Sequence, residues 1–278
     1  LLSLHRSLDG DLSAGEALPA VYQALEDHDI RFHRSTVAMT AGRPGGGKSI
    51  FALDHAIKAR VPTLYISCDM SRFQLAARAA AALTGDSIAH VKEALSSDGR
   101  EKYRAALKGA DHLFLALEKR PDMAALEDVL NAFHERWGIP PYLVVVDNLI
   151  NLYSDAGDEW AGLREMSHVM DYFAHELGAC VHVLHHINLS DSLDRPGGMN
   201  AVKGKVVELP SLILSVAKTD EEFRFAAVKN REGREDPMAQ SYGRLRLDPQ
   251  TLTLSDLTPQ WPYGPAPNAP TGNWSLAA

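Results

Sequence analysis

Eight consecutive residues, Gly42-Arg43-Pro44-Gly45-Gly46-Gly47-Lys48-Ser49, satisfy the phosphate-binding pattern G-x-x-x-x-G-K-[ST] at every fixed position. Glycines let a backbone wrap closely around phosphate oxygens with its N–H groups pointing inward. A helix beginning where the loop ends adds a partial positive charge. Lys48 has the reach for the β- and γ-phosphates of a nucleoside triphosphate, and the Ser49 hydroxyl is a Mg²⁺ ligand. Hydrolysis needs more: a carboxylate for the metal, a group that orients water and a group that senses the γ-phosphate. Asp147 ends the apolar run Tyr142-Leu143-Val144-Val145-Val146 and is the candidate metal carboxylate beside Ser49; the competing reading is a turn cap shared with Asn148. Asp69 ends an earlier run and is the candidate general base, or else the N-cap of a helix starting near Ser71 or Arg72. His186 ends a third run and is placed to hydrogen-bond a γ-phosphate, with His185 on the opposite pleat; either is otherwise an ordinary strand-end histidine.

Those residues have to be positioned by strands that end at one edge. Short apolar runs predict strands over 35–40, 62–67, 112–117, 142–147 and 180–186. Helical spacing predicts helices over 49–60, 72–83, 123–137 and 159–177, with Phe73, Leu75, Ala76 and Ala79 facing inward on the second. A helical excursion spans 84–111, with helical pattern over 91–95 and 101–108. The polar stretch 189–204 reads as a loop. Beyond it, runs over 209–217, 222–229, 243–247 and 251–254 predict mostly antiparallel strands. The expected class is α/β: one domain over 35–257 with a central, mainly parallel sheet and a C-terminal antiparallel β extension. Residues 1–34 form an N-terminal arm or linker in which Leu18, Val21, Tyr22, Leu25 and Ile30 mark a short amphipathic helix. Residues 258–278 form a Pro-rich tail.

Composition narrows the function. A net charge of −8 over 278 residues leaves no global nucleic-acid footprint, so any DNA contact must come from a local patch or from assembly. Cys68 and Cys180, each at the end of an apolar run, read as buried thiols of a reducing compartment. No apolar run reaches membrane-span length, and the first six residues lack the form of a signal peptide. The expected location is therefore the cytoplasm, with no membrane partner.

Several segments occur together in a telling order: 39–49, then Tyr65-Ile66-Ser67-Cys68-Asp69-Met70-Ser71 with Gln74, Leu75 and Arg78, then 144–147, then Leu184-His185-His186-Ile187-Asn188, then Lys229-Asn230-Arg231-Glu232-Gly233. Over about 35–250 the chain resembles RecA-fold ATPases of the DnaB type, the motor domain of replicative hexameric helicases. It is also similar to the short plasmid-encoded hexameric helicases called RepA, which share the paired-His strand end. The resemblance implies a RecA-like P-loop NTPase using ATP and Mg²⁺, acting on single-stranded or branched DNA in replication or recombination. It implies a homo-hexamer or other ring, in a bacterial cytoplasm that a phage or plasmid protein would share. By the same resemblance the catalytic carboxylate, normally Glu, is Asp69, and the Gln or His sensor is His186. Lys229 and Arg231 then reach the γ-phosphate of the neighbouring subunit, or else form an ordinary exposed basic turn. The segment 188–205, with Arg195, Lys203 and Lys205, is the candidate DNA contact; it has few charges and no aromatic stacking platform of its own.

Two other function classes fit parts of the chain. A metal-dependent DNA nuclease would use His182, His185 and His186 beside Asp147, with His55, Asp54 and Asp69 nearby. A nucleotide-binding loader or recombination factor that does not hydrolyse would explain Asp69 in place of Glu.

Overall fold

The computed structural model describes residues 15–97, 99–188 and 194–257. The first part of the expected arm, residues 1–14, and the tail 258–278 lie outside the described residues.

Near-continuous apolar runs over 36–42, 63–67, 143–147 and 180–186 form strands buried on both faces. β1 (Thr36–Gly42), β2 (Thr63–Ser67), β3 (Leu113–Leu117), β4 (Leu143–Asp147) and β5 (Cys180–His186) join β6 (Leu212–Lys218), β7 (Glu222–Asn230), β8 (Gly243–Asp248) and β9 (Thr253–Asp256) in one sheet. Its order is β3-β2-β4-β5-β1-β6-β7-β8-β9. Every pairing from β3 through β6 is parallel, and those from β6 to β9 are antiparallel. The strands after the loop are mostly antiparallel, as expected: β6 pairs parallel with β1 and antiparallel with β7, and β7 to β9 are antiparallel throughout. The long crossover between β5 and β6 lets β6 enter in the direction of β1, which a tight hairpin would forbid.

Helices cover both faces. α1 (Gln23–Glu26) is a single turn; α2 (Lys48–Ala59), α3 (Arg72–Thr84), α4 (Ile88–Leu95), α5 (Arg100–Leu107), α6 (Met123–Trp137) and α7 (Glu159–Leu177) follow. One core packs α2 against Ala38, Tyr65, Val145, Leu184 and Leu214. The other packs α6 and α7 against Met39, Ile66, Val146, Val183 and Ile213. These two sets are the alternate pleats of the same strands. Leu18, Tyr22, Leu25, Ile30 and Phe32 belong to the α2 core, so the segment from residue 15 packs on its own sheet.

α3 differs from expectation. Phe73 is 42% exposed, and the buried side is Leu75, Ala77, Ala79, Ala80 and Ala81. An alanine-rich helix has no dominant apolar stripe, and this one is sandwiched: Leu75 and Ala79 face the α2 core, while Ala77, Ala80 and Ala81 pack on Val91 of α4 and Tyr103 of α5. Both cysteines are buried free thiols.

Candidate nucleotide site

β1 runs up the middle of the sheet and ends at Gly42, from which residues 43–47 loop into α2. Two glycines show why the loop needs them. A Cβ on Gly42 would sit 2.9 Å from Val216 Cγ2 of the adjoining strand. Gly47, the N-cap of α2, has φ +94 and lies against the Phe223 ring, 3.0 Å from where a Cβ would be. Arg43, Pro44, Gly45 and Gly46 complete the turn.

Lys48 opens α2 yet is only 7% exposed. Its ammonium donates to the carbonyls of Gly42 and Arg43, both at 2.9 Å. Burial pulls its pKa from 10.5 down to about 8, against the opposing pull of Asp147 and Asp69. Asp147, at the end of β4, accepts a hydrogen bond from Tyr65 Oη at 2.8 Å, and Ser49 and Tyr65 both pull its pKa down. Burial still holds its carboxyl above the usual range. His186, at the end of β5, is half-buried with Nδ1 3.5 Å from Lys48 Nζ. Burial first, then Lys48 and Lys203, push it toward the neutral form.

Asp69 follows β2 and is exposed. α3 is capped by Ser71 in a reciprocal capping box with Gln74, so Asp69 is not the helix cap. Its two carboxylate oxygens are instead held by side-chain amides, from Asn148 at 2.9 Å and from Asn151. Sequence reasoning missed both amides as clamp residues. Asn148 caps and Asn151 ends the short 3-10 turn Leu149–Asn151, and only the adjacency of Asn148 to Asp147 hinted at them.

The geometry thus gathers Lys48, Ser49, Asp69, Asp147 and His186 at the carboxyl ends of four adjoining strands, where open α/β sheets bind ligands. The profile described as DnaB-like helicase C terminal domain matches residues 17–194. The chain belongs to the DnaB-like helicase family. It is, by that membership, a nucleotide-binding RecA-fold ATPase of the helicase class.

Relatives include the Gene 65 proteins of Mycobacterium phages L5 and D29. The first is 29% identical over 253 residues, covering 88% of this chain and 94% of the phage protein. The second is 30% identical over 230 residues, covering 79% and 98%. A "Probable plasmid replicative DNA helicase" of Chlamydia psittaci is 28% identical over 170 residues, and the match spans 37% of that longer protein. Among solved structures, a DnaB-like replicative helicase described with its primase interactions superposes with a TM-score of 0.76 at 15% identity, covering 91% of this chain and 64% of the other. A second solved structure, that of an ATPase domain, gives 0.74 at 14% identity, covering 92% and 96%. At such identities these two structures speak to the fold.

Other candidate residues of this DnaB-like chain lie elsewhere. Arg231 N–H donates to Ser211 O, and Ser211 N–H to Val37 O. Five strand steps lead from Val37 to Gly42, about 17 Å along the sheet at ~3.3 Å each. Arg231 is exposed, with Nη2 on Glu208 O at 2.8 Å, while Lys229 Nζ is held by Val207 O and Glu208 O at 2.6 and 2.7 Å. The structure thus separates Lys229 and Arg231 from their own phosphate loop.

In the segment after β5, Arg195 is exposed. Lys203 is half-buried and paired with Glu159 at 2.7 Å. The side chain of Lys205 lies outside the described residues, as do residues 189–193.

The histidine cluster does not form. His182 is fully buried on the α2 side, its Nε2 2.8 Å from Thr40 Oγ1 and its ring against Phe32 and Phe51. His55 lies in the same aromatic nest, stacked on Phe51. His185 faces the opposite side and bonds Lys203 O through Nε2 at 2.8 Å. Among the described residues no group of three or more His, Cys, Asp or Glu could hold a metal. The nuclease reading therefore loses its site, because a spacing of three on a strand sends His182 and His185 to opposite faces.

Proposed function

We propose that the chain hydrolyses ATP with Mg²⁺ as a DNA-dependent helicase motor, with the phosphate-loop residues 42–49 cradling the triphosphate. The observation that carries this reading is the convergence of the buried Lys48 ammonium, the buried Asp147 carboxylate and His186 at the strand ends that meet the phosphate loop. Residues that must serve one phosphate and one metal in this chemistry stand at one edge of the sheet. The donor set fits Mg²⁺: one hydroxyl and one buried carboxylate, with room left for phosphate oxygens and water. Ser49 and Asp147 would hold the ion, and when bound it supplies positive charge to the β- and γ-phosphate oxygens.

The other roles follow from position. Lys48 swings from the carbonyls of Gly42 and Arg43 to the phosphates. Asp69, fixed at both oxygens by Asn148 and Asn151, orients the attacking water and accepts its proton. His186 donates to the γ-phosphate. Arg231 and Lys229 act on the site of a neighbouring copy in a hexamer or similar ring, since about 17 Å of sheet separates them from their own. The DNA is single-stranded or branched, contacted by the segment 188–205, and the setting is a bacterial cytoplasm infected by phage. Among the described residues no helix is long and apolar enough to cross a membrane.

The deciding experiment measures ATP turnover with and without single-stranded DNA, alongside the mass of the assembly with nucleotide bound. Stimulation by DNA that vanishes in Lys48→Ala supports the motor. ATP binding with no turnover at any DNA concentration refutes it in favour of a loader.

A further inference from the structure

The segment 188–205 has no aromatic residue, yet the fold brings one to it. Trp160 stands in the first turn of α7 and is 45% exposed. Capping there is done by Asp158, whose Oδ1 accepts from Ala161 N–H at 2.8 Å, so the indole has no part in starting the helix. Its ring lies against the backbone at Gly204: a Cβ built there would be 3.0 Å from Trp160 Cε3 and Cζ3, and Gly204 itself has φ +76. Any side chain at 204 is opposed both by backbone conformation and by the ring. Lys203 Nζ is 5.7 Å from the ring centroid. The indole is thus held against a turn while much of it stays open to solvent.

Trp160 borders a cleft of about 760 Å³ between α7 and the segment leading to β6. That volume is in the range of small-ligand sites. Trp160, Arg164 and His168 form one stripe of the helix at spacing four, and Asn188 and Asn200 bring amides from the facing segment. Arg164 is exposed and pairs with no carboxylate among the described residues. Against this, Lys203 is committed to Glu159, and Asp158 and Glu208 also line the cleft. An aromatic face with amides and little net positive charge suits a nucleobase better than a phosphate backbone.

We propose that this cleft receives an unstacked base of single-stranded nucleic acid, with Trp160 as the stacking platform and Asn188 and Asn200 meeting the base edge. The proposal rests on the DNA-dependent reading above and names where that strand is gripped. The grip sits beside the nucleotide site, because His185 holds Lys203 O and the adjacent His186 lies 3.5 Å from Lys48.

The test uses the full chain and fluorescein-labelled dT20, compared with a strand of the same length carrying abasic sites, followed by anisotropy over a salt series. Wild type should prefer dT20 to the abasic strand by about tenfold, as expected for base–aromatic stacking. Trp160→Ala should lose that preference while its abasic binding and its salt slope stay put, and Trp160→Phe should keep most of it. The wild-type preference needs no variant, so a poorly folding Trp160→Ala does not shield the idea. Equal wild-type affinity for the two strands overturns it, as does equal loss of both in Trp160→Ala. A change in assembly mass with DNA affinity intact also overturns it, making the cleft a seat for a second copy. If wild type binds neither strand, the DNA-dependent reading falls and this proposal with it. If wild type binds both equally, only the platform falls.

Discussion

Replacing Lys48 with Met should stabilise the nucleotide-free protein at neutral pH while removing its response to ATP. The folded protein holds the Lys48 ammonium where burial lowers its pKa from 10.5 to about 8. The sign follows from proton binding: the unfolded chain keeps this proton up to about pH 10.5, the folded chain only to about pH 8. Between those values the unfolded state binds more protons, so wild-type stability rises with pH there. The folded state is disfavoured by about 3 kcal/mol at pH 7 and about 1.4 kcal/mol at pH 9.5 on account of this one charge. Met keeps the length of the side chain and removes the charge, but it also removes the donor to Gly42 O and Arg43 O. Those two hydrogen bonds are worth about 1 kcal/mol each. Lys48→Met should therefore be about 1 kcal/mol more stable than wild type at pH 7, and about 0.5 kcal/mol less stable at pH 9.5. Titratable groups away from Lys48 behave alike in both proteins and cancel in the difference. Urea unfolding at the two pH values measures it, and ATP should raise the wild-type midpoint alone. A variant less stable than wild type at pH 7, or a difference that does not move with pH, refutes the reasoning.

Asp69→Asn should lower kcat about 10²- to 10⁴-fold while ATP still protects against unfolding, since the carboxylate acts on water and not on the phosphates; steady-state turnover and melting with ATP separate the two. Arg231→Ala should cost about a thousandfold in turnover. Mixing Arg231→Ala with Asp69→Asn subunits should restore part of it if the arginine acts across a subunit boundary; no recovery would place its action within one chain. Acid should unfold the protein between about pH 6.5 and 4, followed by circular dichroism. His55, His182 and His185 are held neutral by burial with pKa values of about 4, 3 and 4, so the unfolded chain takes up their protons first and stability falls as pH drops, by up to about 1.4 kcal/mol per unit for each.

What could be read in advance followed from local pattern. The stripe of Leu126, Leu130 and Phe133 defines α6, and the runs around Val145 and Val183 define buried strands, because period and apolarity are local properties. Direction is not local. The residues of β6 look the same whichever way the strand runs, and only its approach from the long crossover makes it parallel to β1. The inward side of α3 escaped for another reason: alanine packs on either side of a helix, so Phe73 misled as the largest apolar residue. The placement of the phosphate loop, Asp147 and His186 at one sheet edge was legible because each ends a strand or joins it to a helix. Asn148 and Asn151 were not, since an amide that steadies a carboxylate 79 or 82 residues away leaves no spacing to detect. Nor did anything around Trp160 announce a turn at Gly204.

The register of β5 bears on how nucleotide and DNA could speak to each other. β5 pairs with β4 only as far as Val183, but with β1 as far as His186. Its last three residues, Leu184, His185 and His186, are therefore joined on one edge alone, to the strand whose end is the phosphate loop. Displacing them costs no β4 ladder bonds, whereas moving them away from β1 breaks the ladder that holds Gly42 opposite His186. The two histidines must then follow the loop. A period of two directs them to opposite faces, His186 toward Lys48 and His185 toward Lys203 O. A shift of the β1 end on phosphate binding would carry the turn at Lys203 and Gly204 with it, and the ring of Trp160 lies against that turn. The paired histidines thus stand on a strand end laddered to β1 and not to β4, which sets His186 beside Lys48 and His185 on the turn at Lys203.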